Sequence, residues 1–204
     1  MGILNSIISN VVRSVAGKEI MKNIPGMDKL DELKKNVGCN TQTYTFESLP
    51  ANVEELKKLP EAALFDVYAV AALSVLALTR FEADREASIA MLNYLKGPEP
   101  MSNMDISMIS DRFMDGKFYK VNSFFDGATP QNNYTPDKPY KIKVTSNPYS
   151  FENENWANLF LTSGGADNPR QVRLRMKPST GQWFLVEIQY LGDIRPPVVA
   201  DKWA

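Results

Sequence analysis

Apolar residues recur at steps of one, three and four near the start of the chain. Ile3, Leu4, Ile7, Ile8, Val11, Val12 and Val15 fall on one helical stripe, with Asn5, Ser6, Ser9, Asn10, Arg13 and Ser14 opposite. β-Branched residues dominate the stripe, so this helix is expected to form when it meets a partner: the rest of the chain, a second copy or a membrane surface. The polar segment 18–43 is broken by Pro25, Gly26 and Gly38 and reads as a helix fragment within a linker. Alternation at Thr43-Tyr44-Thr45-Phe46 then marks a short strand. The chain is thus divided into an N-terminal helix with linker, residues 1–42, and one domain, residues 43–204.

Four helices follow in the pattern. The first spans 52–59, with Asn52 as N-cap and Glu54 and Glu55 at the positive end of the helix. The second, 67–81, is capped by Asp66 and apolar nearly all round, which predicts a buried central helix. The third, 84–95, turns Ile89, Leu92 and Leu95 inward and stops at Gly97-Pro98. The fourth, 102–114, carries Ile106, Ile109 and Phe113 as its stripe. Asn, Gly and Pro interrupt residues 120–139, but Phe124, Phe125, Tyr134 and Tyr140 supply enough apolar area for an ordered, packed loop.

From Tyr140 onward the period is two. Residues 140–145 alternate, 156–162 form an apolar run, and 171–177 with 182–191 make a hairpin. A three-residue loop, Ser179-Thr180-Gly181, would put Val172, Leu174 and Met176 on the same face as Ile188, Val186 and Phe184. That register sets Arg173 opposite Glu187 and Lys177 opposite Trp183 on the other face. Helices before strands define an α+β class, with N-terminal helices packed on one face of a mainly antiparallel C-terminal sheet.

Composition narrows the chemistry. There is no histidine and one cysteine, Cys39, in a chain with 44% hydrophobic residues, so the usual neutral-pH acid/base, nucleophilic and zinc ligand sets are missing. A lone cysteine, no leader pattern and no apolar run near membrane-spanning length favour a reducing compartment, and the cytoplasm is the expectation. The 23 basic and 24 acidic residues nearly cancel, which removes a global field toward polyanions, so no nucleic-acid partner is expected, although a local patch could still exist. No cofactor and no metal site is implied.

Three groups carry candidate binding chemistry, each against a plainer role. Arg173 and Arg175 alternate with Arg170 and Lys177 and suit an anion, but a solvated strand face with Arg173 paired to Glu187 is the favoured explanation. The loop with Asn132, Asn133 and Tyr134 joins amides and a phenol on a Pro-braced turn, against a loop stitched down by its own amides. Asp193 and Arg195 precede Pro196-Pro197, which ends the last strand. Ser163-Gly164-Gly165 reads as a tight turn ahead of an anion nest, and Glu82, Asp84 and Glu86 do not converge on one face.

Several phrases together are similar to an uncharacterised bacterial family, a domain of unknown function found chiefly among Firmicutes, over residues 44–204. They are Asn93-Tyr94-Leu95-Lys96-Gly97-Pro98, Gly127-Ala128-Thr129-Pro130 through Asn132-Asn133-Tyr134-Thr135-Pro136, Asn147-Pro148-Tyr149-Ser150, Ser163-Gly164-Gly165-Ala166-Asp167, Thr180-Gly181-Gln182-Trp183 and Asp193-Ile194-Arg195-Pro196-Pro197. The resemblance implies a bacterial cytosolic protein. It thereby lowers the weight of the myristoylation-like start Met1-Gly2-Ile3-Leu4-Asn5-Ser6 and implies no activity.

The functional expectation is a non-enzymatic binding or interaction protein. Its N-terminal helix would dock to a protein partner or to itself, with a membrane surface ranked below both. The alternative is a small-ligand protein or an enzyme using carboxylate, Tyr or Arg in a pocket between helices and sheet.

Overall fold

The computed structural model describes residues 40–201. The helix predicted for 3–15, its linker, Cys39 and Trp203 lie outside the described residues. The chain forms β1 (Thr41–Phe46), α1 (Val53–Lys57), α2 (Val67–Thr79), α3 (Arg85–Lys96), α4 (Asn103–Phe113) and α5 (Tyr119–Asn122). Four strands follow, β2 (Tyr140–Thr145), β3 (Trp156–Leu161), β4 (Arg170–Lys177) and β5 (Gln182–Ile188). β1 starts at Thr41, so the folded domain takes in Thr41 and Gln42, ahead of the boundary drawn from sequence.

The helix starts obey the capping chemistry read from the sequence. Asn52 accepts from the Glu55 N–H, Asp66 from the Tyr68 N–H and Asp84 from the Ala87 N–H. Ser102 and Asp105 form a reciprocal capping box at α4. α2 is the centre of the fold: twelve of its 13 residues are buried. It touches all five strands and α3. Its buried hydroxyls are partnered: Ser74 donates to Ala71 O at 2.7 Å and meets the Tyr190 hydroxyl at 2.9 Å, and Tyr68 donates to Ser146 Oγ at 2.9 Å.

The five strands make one sheet in the order β1-β2-β3-β4-β5, every neighbouring pair antiparallel. The predicted class holds, with β1 added: all four longer helices are inserted between two strands that pair, Thr41 with Thr145 through Phe46 with Tyr140. Ile142, Val144, Ala157, Leu159, Leu161, Val172, Leu174 and Leu185 point to the helices and are buried. The space between α2 and the sheet is filled by side chains such as Leu73, Val75 and Leu76, each 0% exposed.

The β4–β5 register corrects the expectation from sequence. Lys177 pairs with Gln182, so the loop is four residues, Pro178 to Gly181, and Leu185, not Val186, faces Leu174. Val186 is then left as a bulge, after which Arg173 meets Glu187 and Val172 meets Ile188 as expected. The turn absorbs one residue more than predicted and the bulge returns the strand to phase. Phe184 thereby pairs with Arg175, its ring lying against Gly97 at the end of α3, and Trp183 comes opposite Met176. The carbonyl of the bulged residue accepts from a cation: Lys96 Nζ donates to Val186 O at 2.9 Å. Farther along this edge Trp183 N donates to Leu64 O at 2.7 Å, so part of the free strand edge is covered.

Leu73→Ala in the middle of α2 is expected to lower stability by about 2–5 kcal/mol, as for a fully buried leucine. Urea unfolding followed by circular dichroism measures it; a loss under about 1 kcal/mol would contradict the packed centre described.

Candidate functional site

The alternation that buries one side of β2, β3 and β4 turns a second set of residues to the opposite side. These are Lys141 and Lys143 on β2, Trp156, Asn158 and Phe160 on β3, and Gln171, Arg173, Arg175 and Lys177 on β4. Lys141, Arg175 and Lys177 are exposed and the others partly exposed, so no side chain of this face is enclosed among the described residues. The register places Trp156 opposite Arg175, Asn158 opposite Arg173 and Phe160 opposite Gln171.

Two of the predicted residues meet here on a third that the sequence reading passed over. The Arg173 and Arg175 guanidinium carbons lie 4.4 Å and 5.0 Å from the centroid of the Trp156 ring. Arg173 also pairs with Glu187 at 3.2 Å, and Lys143 with Asp126 at 2.8 Å. Lys141, Arg175 and Lys177 make no ion pair among the described residues. Gln171 Nε2 donates to Asn158 Oδ1 at 3.3 Å, an amide pair between the two aromatic positions of β3. Residues 156–162 read as one apolar run, which hides that Trp156 and Phe160 face away from Ala157, Leu159 and Leu161. The signal was the step of four between the two rings.

The remaining predicted residues gather at another place, where the loop after α5, the β3–β4 turn and the C-terminal segment meet. Asn132 donates to Gly127 O at 2.8 Å and Thr135 O at 3.0 Å and accepts from Thr129 N at 2.9 Å, so its amide holds its own loop. Asn133 and Tyr134 both take left-handed backbone angles, with φ of 56° at each. Tyr134 is buried, stacks on Tyr119 and donates its hydroxyl to Arg195 O at 2.7 Å. The Arg195 side chain reaches Asp167 at 2.7 Å and Gly165 O at 3.3 Å. Asp193, also left-handed with φ of 51°, accepts from Arg170 through its carbonyl at 2.6 Å.

The glycine pair in this junction serves close approach. A Cβ on Gly164 would lie 2.0 Å from Ala128 O, and one on Gly165 would lie 2.2 Å from the Tyr134 hydroxyl. Both N–H groups are already used, Gly164 by Ser123 O at 2.8 Å and Gly165 by Ser163 Oγ at 3.1 Å. A cleft of about 360 Å³ lies between α4 and the end of β5. Another of about 330 Å³ lies between residues 129–131 and Arg195-Pro196. The carboxylates of the first are occupied, Asp105 by its capping box and by Lys96 at 3.9 Å, and Glu187 by Arg173. No cluster of three or more His, Cys, Asp or Glu positioned for a metal occurs among the described residues.

Burial governs the shifted ionisations. It pushes the Tyr134 hydroxyl up to about 12, with Tyr119 adding to the effect and Arg195 opposing it. Tyr190, wholly enclosed, is raised further by the same cause. Burial lowers the Lys120 ammonium, helped by Arg112 and Lys117.

Gly164→Ala is expected to cost about 1–3 kcal/mol, because a fixed backbone carbonyl occupies the space; calorimetry should show a fall of several degrees in Tm, and an unchanged Tm would contradict the close approach. Alkaline unfolding tests the tyrosines. An unfolded tyrosine ionises near pH 10, whereas Tyr134 and Tyr190 are held neutral by the fold. Their stabilisation is intact below about pH 10 and declines as pH rises from there through the folded values. A urea midpoint that falls between about pH 10 and 12 is the expected result, and a flat one contradicts it.

No helix among the described residues is long and apolar enough to cross a membrane. No curated protein and no solved structure matches the chain. One family model does, over residues 48–198, a stretch that takes in every helix described, β2 to β5 and both groups of candidate residues but not β1. The chain therefore belongs to the family described as domain of unknown function DUF6935.

Proposed function

We propose that the protein is a non-enzymatic binding protein that works through the uncovered face of its sheet, with the N-terminal segment as a docking or assembly element. The observation that carries the reading is the contrast between the two faces. One face is filled by α2 with no polar group left unused, whereas the other presents two aromatic residues and three cations without ion pairs. Evolving such a surface only to leave it in water is hard to reconcile with its partly exposed tryptophan and phenylalanine. The helical stripe of Ile3, Leu4, Ile7, Ile8, Val11, Val12 and Val15 supplies the second element. On the sequence grounds of a lone Cys39 and the family resemblance, we place the protein in the bacterial cytoplasm.

A second reading keeps a small ligand in the cleft of about 330 Å³ beside Arg195. What favours it is that Arg195 lines this cleft and is tied to Tyr134, from a distant part of the sequence, through its own carbonyl. Their side chains are engaged with the protein itself, which ranks it second.

Native mass spectrometry separates the readings, using the full chain and a version that starts at Asn40. The expected result is a protein assembly for the full chain and a bare monomer for the shortened one. A monomer in both cases contradicts the docking role of residues 3–15, and a small-molecule mass retained by both favours the cleft.

A further inference from the structure

We propose that the uncovered sheet face binds single-stranded nucleic acid, an inference that rests on this face being the working surface of the protein. The whole chain is nearly neutral, with 23 basic and 24 acidic residues, but the charge is segregated. The strand positions facing outward on β2 and β4 hold five cations, Lys141, Lys143, Arg173, Arg175 and Lys177, and no carboxylate. Only Glu187 of β5 answers them from within the sheet, through Arg173. Asp126 answers Lys143 from the loop beside it. A near-zero total therefore conceals a local positive field across one surface.

The arrangement of the rings selects the polyanion. Trp156 and Phe160 stand on β3, with Arg173 and Arg175 of β4 beside the Trp156 end, whereas Phe160 faces Thr145 of β2 and Lys143 and Lys141 follow past that end of the strand. On an extended strand the two rings are about 13 Å apart. Phe160 is partly exposed and makes no ring or cation contact among the described residues, which leaves it as the second stacking position of the proposal. Trp156 carries the guanidinium groups of Arg173 and Arg175, and bases stack on such planes as well as on rings. Between the rings, the paired amides of Asn158 and Gln171 offer donors and acceptors to base edges. A backbone tracked by cations with bases laid on aromatic groups is the physics of single-strand binding. An open sheet offers no helix or ribbon to enter a duplex groove, and an acidic peptide has no use for the ring faces.

The test is fluorescence anisotropy with the full chain and labelled mixed-sequence 12-nucleotide DNA and RNA, the matching duplex, and poly-glutamate as competitor. Binding of either single strand is expected at about 1–100 µM near physiological salt. With three free cations engaged, log K against log salt should slope by about −2, and Arg175→Gln or Lys177→Gln should each reduce the slope by roughly 0.7. Phe160→Ala should weaken binding by at least about fivefold and leave the slope unchanged. Phe160→Leu, which keeps the apolar volume, guards against a folding defect and should also weaken binding. The proposal is overturned if neither single strand binds at 50 mM salt, if the duplex binds as well as the single strand, or if poly-glutamate competes as strongly as unlabelled oligonucleotide. It is equally overturned if both Phe160 variants bind like the parent. If the oligonucleotide fails while the native assembly persists, the nucleic-acid assignment falls alone.

Discussion

α2 has no polar stripe to give to water. Its sequence from Val67 to Thr79 is apolar but for Tyr68, Ser74 and Thr79, so it folds only if every side is covered by protein. Antiparallel strands cover one side and α3 another, and the remaining elements are arranged to make that possible. The chain closes the sheet with β1, on the far side of five helices in sequence, so that the strand flanking the helical insertion becomes an edge of the same sheet. A helix of this kind commits the sheet to two unlike faces: one consumed by the core, the other released from it.

The helices were legible because their ends announce themselves. Asn52, Asp66, Asp84 and Ser102 each cap the helix that the apolar pattern places after them, and Gly97 stops α3 with φ of 60°. The membership of β1 was not legible, since pairing between Thr41–Phe46 and Tyr140–Thr145 leaves no mark within either segment. The bulge at Val186 was likewise hidden, because a turn one residue longer and a strand with one residue extra cancel in the overall spacing. A short strand pair cannot reveal where along its length such a correction is made. Lys96 shows the consequence after the fact, by donating to the carbonyl that the bulge turns out.

The candidate residues divide along the same line. Arg173 and Arg175 were readable as a charged strand face, but Trp156 was not readable as their partner, because partnership depends on register across β3 and β4. The group of Asn132, Tyr134, Asp193 and Arg195 was readable as unusual, and its members do come to one junction. There their polar atoms hold the Gly164-Gly165 turn against the loop and the C-terminal segment. Unusual residues in a sequence mark demanding geometry, and demanding geometry serves architecture as readily as chemistry.

The assignment of the sheet as the working surface rests on its outward face being bare in the full chain. Hydroxyl-radical footprinting read by mass spectrometry measures that directly, with buried Tyr190 and Phe124 and exposed Phe65 and Tyr149 as internal standards. The account predicts that Trp156 and Phe160 react well above the buried pair in the free protein. Reaction of both at the level of Tyr190 would mean that something already covers the face, and would contradict the account at its base.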